Sequence, residues 1–120
     1  MEIKDETYRL RIYISSTDKI GHELLNEFLV REAHKQGLAG ATVLRGILGY
    51  GASSVIHSYK FWEISEKVPL VLEIVDSSEK LYDFFANIQP KLESLRYGCL
   101  ATIEKVEVLL YKTGDKRVIG

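Results

Sequence analysis

The chain has 120 residues and a mass of 13.7 kDa, room for one domain of ordinary size. With 46% hydrophobic and 28% charged residues it has the make-up of a globular protein, and no apolar run approaches the ~18 residues that a membrane-spanning helix needs. A formal net charge of -1 argues against a broad nucleic-acid-binding surface, and the one cysteine, Cys99, excludes an internal disulfide or a cysteine-based zinc site. The opening run MEIKDETYRLRIYI is acidic early and carries no apolar leader, so a reduced, cytoplasmic setting is expected.

Residues 8–14 alternate, with Tyr8, Leu10, Ile12 and Ile14 on one face and Arg9, Arg11 and Tyr13 on the other; a period of two predicts a strand. Ser15, Ser16, Thr17 and Asp18 offer side-chain oxygens as helix N-caps. A helix is predicted over about 19–36, where Ile20, Leu24 and Phe28 run beside a parallel row of Leu25, Leu29 and Ala33. Gly37 stands where a left-handed C-cap belongs. Residues 41–50 read as a second strand, with Gly46 marking a bulge or a close backbone approach. Residues from about 50 to 68 then read as a long loop that includes His57-Ser58-Tyr59-Lys60-Phe61-Trp62, and a loop of this length in a compact domain is usually functional.

The third strand is predicted over 69–75, followed by Asp76 as an N-cap with Glu79 as its partner. Leu81, Phe84, Phe85 and Ile88 describe a second amphipathic helix, which Pro90 should end or kink. Residues 101–112 read as the fourth strand and 113–120 as a polar, frayed tail. The order strand, helix, strand, strand, helix, strand predicts an α+β, ferredoxin-like βαββαβ sandwich, a single domain over 1–120 with a four-stranded antiparallel sheet and both helices on one face. The other face would carry Arg9, Arg11, Tyr13, Val71, Glu73, Val75, Glu107, Leu109 and Tyr111. That is too apolar for water alone and predicts an oligomer packed through this face.

The stretch with most chemistry in it is 40–54, GATVLRGILGYGASS. A strand ending in Gly-Tyr-Gly-Ala-Ser-Ser lets successive backbone N–H groups approach an anion, although it has neither a Walker lysine nor G-x-G-x-x-G spacing. His22, His34 and His57 fall in no metal-ligand spacing and read as solvated. Arg45, charged within an apolar strand, could pair with Glu73 or Glu107 or reach a ligand phosphate. No catalytic constellation of nucleophile and base emerges, so the chain reads as a binding protein before an enzyme.

Gly-Leu-Ala-Gly-Ala-Thr-Val before a strand and Gly-Tyr-Gly at its end are similar to the PII signalling proteins, as are Pro-Leu-Val-Leu-Glu-Ile-Val after the loop and Lys-Thr-Gly after the last strand. Within that superfamily the chain most resembles the bacterial and archaeal branch classed as a domain of unknown function. The resemblance implies a homotrimer with its sheets facing inward, and an adenine nucleotide (ATP, ADP or AMP) bound between subunits as a ligand, with no required cofactor. It implies that Gly49, Tyr50, Gly51 and Ser53 wrap the phosphates and that Thr42 approaches the adenine. Trp62 and Ile64 would line the cleft from the returning loop, and Lys112 would reach a neighbour's phosphates. It implies a regulator whose long loop, with Tyr59 as a modifiable residue, controls a transporter, channel or enzyme.

The chain departs from PII proper in four places, one of them a strand leading to Gly49 that is one residue longer. Glu93-Ser94-Leu95-Arg96-Tyr97-Gly98 replaces the second phosphate loop, leaving only Arg96 and Gly98 as substitutes; Ala52-Ser53 replaces an Arg-Gln pair; and Leu110 replaces a second basic residue. These changes argue against tight ATP binding and against 2-oxoglutarate sensing. A small phosphate-transferring or nucleotide-hydrolysing enzyme on the same fold is the alternative. An RNA-binding domain would need an aromatic RNA-binding motif and a positive surface, neither of which is present.

Overall fold

Apolar alternation along the first strand, β1 (Thr7–Ser15), puts Leu10, Ile12 and Ile14 on one side, and all three are buried. The computed structural model describes residues 1–2, 5–52 and 67–115, with the backbone of 57–58. After β1 the chain forms a small hairpin, β2 (Lys19–Ile20) against β3 (Glu23–Leu24), before helix α1 (Leu25–Lys35) begins. The helix therefore starts six residues later than the periodicity predicts. Gly21 takes φ +62 in the two-residue hairpin turn, a conformation that a helix interior excludes. Asp18 closes the turn, its carboxylate accepting the Ser15 N–H at 3.0 Å and its carbonyl accepting the Leu25 N–H at 2.8 Å.

Helix α1 ends as predicted. Gly37 has φ +79, its N–H donates to the His34 carbonyl, and the Leu38 N–H donates to the Ala33 carbonyl, both at 3.1 Å. That pair of bonds is the Schellman motif. Strand β4 (Thr42–Arg45) follows and breaks at Gly46, whose N–H donates to the Pro69 carbonyl at 2.7 Å. A side chain at 46 would meet the Pro69 ring at 2.8 Å, so the close backbone approach read from the sequence is what requires glycine. The predicted strand 41–50 resumes as β5 (Leu48–Gly49), paired with β6 (His57–Ser58) within the long loop.

Strand β7 (Pro69–Ser77) runs two residues further than predicted. Ser77, not Asp76, caps helix α2 (Ser78–Ser94) by accepting the Lys80 N–H. Asp76 is fully buried instead, on the inner face of β7 with Leu70, Leu72 and Ile74. Pro90 neither ends α2 nor prevents its last turn, and Leu92 beyond it is buried. The last strand, β8 (Leu100–Val106), stops short of the predicted 112 because its partner runs out: Val106 pairs with Thr7, where β1 begins.

The sheet order is β4-β7-β1-β8, antiparallel throughout, and the fold is the expected α+β, ferredoxin-like one. Leu25, Phe28, Leu29 and Ala33 of α1 and Leu81, Phe84, Ile88 and Leu92 of α2 share one core with the inner residues of β1 and β7, so both helices lie on one face. Burying each such leucine, isoleucine or phenylalanine contributes roughly 1.5–3 kcal/mol. On the open face the registers align Leu44, Val71, Tyr13 and Leu100 in one row and Thr42, Glu73, Arg11 and Thr102 in the next. Arg9, Arg11, Tyr13, Val71, Glu73 and Val75 occupy that face as predicted. Glu107, Leu109 and Tyr111 lie beyond β8, whose outward residues are Leu100, Thr102 and Glu104. Arg45 stands opposite Leu70, on the other face from Glu73, so it does not pair there; Glu73 accepts from Arg11 at 2.9 Å.

Candidate functional site

The long loop leaves and re-enters the sheet at one end, and its two limbs are tied down there. Ser16 donates its N–H to the Val68 carbonyl and accepts the Val68 N–H on Oγ, each at 2.9 Å, and Val68 is fully buried. The bond from Gly46 to Pro69 fixes the outgoing limb. Between these anchors lies a cleft of about 660 Å³. Its walls are Tyr13 from β1, Leu48 to Ala52 from the outgoing limb, Pro69 to Val71 from β7, and Gly98, Cys99 and Leu100 at the start of β8.

Three predicted site residues meet here: Gly49, Tyr50 and Gly51. Tyr50 is 72% exposed. Neither glycine has a backbone angle that demands glycine. A side chain at 49 would make only ordinary contact with Pro69 at 3.6 Å, and one at 51 would meet no described atom within 4 Å. Of the substitutes for the second phosphate loop, Gly98 lines the cleft, whereas the Arg96 guanidinium lies over the Tyr97 ring, 5.2 Å from its centre.

Thr42 and Lys112 lie elsewhere. Thr42 lines a second cleft, of about 300 Å³, with residues 39–41, Glu73 and Val75, and with Val108, Leu110 and Tyr111 of the segment after β8. Lys112, exposed, follows Tyr111 directly. Within one chain the expected adenine and phosphate residues therefore fall in two separate clefts. Ser53, Trp62 and Ile64, and Tyr59 with them, lie outside the described residues.

Sequence reasoning missed the contribution of Pro69, Cys99 and Leu100 to the cleft. Leu100 belongs to the outward phase of β8, and that phase becomes readable only once the register with Tyr13 is known. Cys99 is a free, exposed cysteine. Partial burial pushes its thiol up from the ordinary value, and the nearby Asp18 and Glu93 carboxylates push the same way, so it is a neutral thiol near neutral pH. His22 and His34 are exposed, and no group of three or more His, Cys, Asp or Glu residues among the described ones could hold a metal.

A loop rising from the β4 and β7 ends of a β4-β7-β1-β8 sheet is the PII-like arrangement, and solved structures match it. CPII, a nitrogen regulatory PII-like protein from Thiomonas intermedia K12 in a structure bound to ADP, AMP and bicarbonate, superposes with a TM-score of 0.62 at 14% identity, over 88% of this chain and 96% of that one. A PII-like protein of Thermus thermophilus superposes at 0.59 and 22% identity, over 87% and 89%. The fold is thus that of the PII-like proteins. The sequence matches the model of the DUF190 family, described as "Uncharacterized ACR", over residues 7–108, and the chain belongs to that family. A UPF0166 protein of Aquifex aeolicus is 35% identical over 100 residues, 83% of this chain and 90% of the relative. One of Methanocaldococcus jannaschii is 33% identical over 85 residues, 65% and 78% of the two.

Proposed function

We propose that the chain is a PII-like regulatory protein that binds an adenine nucleotide between copies of itself and controls a protein partner, a transporter, channel or enzyme, through the loop at about 50–68. The observation that carries this reading is the turn at 49–51. Two glycines flank an exposed tyrosine at the mouth of a cleft, and nothing in the described chain needs either glycine. Backbone N–H groups kept free of side chains suit an anionic ligand. The separation of Thr42 and Lys112 from that turn supports a composite site, in which a neighbour's Lys112 reaches the phosphates held by residues 49–51 and Ser53. Trp62 and Ile64 complete the wall in this reading. CPII, with ADP and AMP in its structure, supports the choice of ligand.

The cleft's described lining offers Ser15 and Cys99 and no histidine, and the nearby Asp18 carboxylate accepts the Ser15 backbone N–H and pushes the Cys99 thiol up, which favours binding over catalysis. Melting curves with ATP, ADP and AMP test the proposal. Ligand at about 100 times its dissociation constant stabilises the folded chain by about 2.7 kcal/mol. Lys112→Ala should weaken binding by about tenfold, or ~1.4 kcal/mol. Unchanged melting with all three nucleotides refutes the reading, and turnover of ATP that Lys112→Ala abolishes would move it to the enzyme alternative.

A further inference from the structure

Two opposite charges stand apart on the sheet. Arg45 is the last residue of β4, the edge strand, and Glu107 follows β8. Both are exposed, and neither side chain bonds to a described residue. They cannot reach each other within one chain. Arg45 registers through Leu70 with Ile14, whereas Val106, next to Glu107, registers with Thr7. That length of β1 spans roughly 23 Å at ~3.3 Å per residue.

Each charge opens a short segment, and the two segments match step for step. Residues 45–50 carry exposed Arg45, Ile47, Leu48 and Tyr50 around half-buried Gly46 and Gly49. Residues 107–112 carry exposed Glu107, Leu109, Leu110 and Lys112 around half-buried Val108 and Tyr111. The first segment bends at Ile47 and the second at Leu109, the same step in each. Ile47 and Leu48 are 66% and 64% exposed, and Leu109 and Leu110 more so, which leaves an uncovered apolar pair on both. Laid side by side in the same direction, the segments set Glu107 against Arg45 and the two leucines against Ile47 and Leu48. Lys112 then falls beside Tyr50. With the same charges paired and one segment reversed, Lys112 would fall beside Gly40, away from the 49–51 turn.

We infer that residues 107–112 of one copy dock along residues 45–50 of the next, running in the same direction. The inference rests on the composite-site reading above and supplies the route by which a neighbour's Lys112 reaches the 49–51 turn. The apolar pairs hold the seam. The ion pair, exposed at its end, adds little affinity but sets the register, because like charges there repel.

Light scattering of the full chain over a dilution series tests this. Arg45→Glu and Glu107→Arg each place like charges together and should weaken assembly about tenfold, with circular dichroism unchanged. The double exchange restores opposite charges and should return assembly to within about threefold of the wild type. In a Cys99→Ser background, Ile47→Cys combined with Leu109→Cys should form disulfide-linked chains under mild oxidation, and neither cysteine alone should. Exchanges that leave assembly unchanged, a double exchange that adds the two losses, or paired cysteines that stay unlinked overturn the seam. A wild type that melts higher with ATP, ADP or AMP then leaves the nucleotide reading standing. If none of the three shifts its melting, that reading falls separately.

Discussion

Asp76 is a carboxylate with no exposure to solvent, and its oxygens accept two backbone N–H groups, from Ala39 at 2.7 Å and Ser77 at 2.6 Å. One bond fixes the start of α2 and the other pins the segment between α1 and β4. A buried charge is tolerated only when it is matched in this way. Asp76→Ala removes the acceptor of both partly buried donors, so the expected loss is about 2–4 kcal/mol of folding stability, read as a shift of the urea midpoint with the slope unchanged. Because Ala39 leads directly into residues 40–42, the second cleft that Thr42 lines should loosen as well, seen as faster amide exchange at 39–42 in the variant. A sequence pattern of Asp followed three residues later by Glu reads as a capping box; only the neighbouring serine and the fixed direction of β7 turn Asp76 inward.

At the level of elements, β1, β7 and α2 are legible because their apolar period matches their geometry for at least seven residues. The start of α1 is not, because the stripe through Ile20 and Leu24 serves equally well for two short strands that lean on the same core. Gly21 was the available signal, since a glycine inside a helical pattern weakens the helix. The end of β8 was unreadable for a different reason: it is set by where β1 begins, a property of the partner strand. The same dependence hid half of the site, since the Tyr13 and Leu100 wall exists only through that register. Cross-strand pairs hold β1 to its neighbours, with Arg9 bonded to Glu104 on β8 and Arg11 to Glu73 on β7. The Arg9 guanidinium, first through its hydrogen bond and then through its charge, holds the Glu104 carboxyl below its usual range. A folded-state pKa below the unfolded one means that the unfolded chain binds more protons there, so this pair's contribution is present above the ordinary carboxylate range and is lost as pH falls through the lowered value. Melting temperatures of the wild type and Glu104→Gln should therefore differ at neutral pH and converge in acid. A difference that persists unchanged at the lowest pH would assign the effect to packing.

For the whole molecule the question is what covers the open face of the sheet. The row Leu44, Val71, Tyr13 and Leu100 crosses all four strands, with Leu44 46% and Leu100 56% exposed, while the next rows carry the ion pairs of Arg11 and Arg9. The segment after β8 adds Leu109 at 86% and Leu110 at 76% exposure. Apolar residues aligned across a sheet form a continuous patch, and such patches mark interfaces. The face is therefore apolar at the loop end and charged at the other; in the proposed oligomer the apolar rows would meet, with residues 49–51, which line the same cleft as Tyr13, Val71 and Leu100, at the rim of that contact. In the proposed trimer, assembly and the composite nucleotide site thus depend on the same row. Leu100→Asp places a charge at the edge of that row in an exposed position, so the isolated fold should tolerate it while the interface should not, because an unpaired buried charge costs several kcal/mol, on the order of 3–5. Light scattering behind gel filtration is expected to show three copies for the wild type and one for Leu100→Asp, with circular dichroism unchanged. The monomeric variant should also lose the thermal shift with AMP, both because the interface is gone and because Leu100 itself lines the cleft beside Gly49, Tyr50 and Gly51. A wild type that runs as a monomer and still binds AMP would detach the nucleotide site from assembly and place every binding residue within one chain.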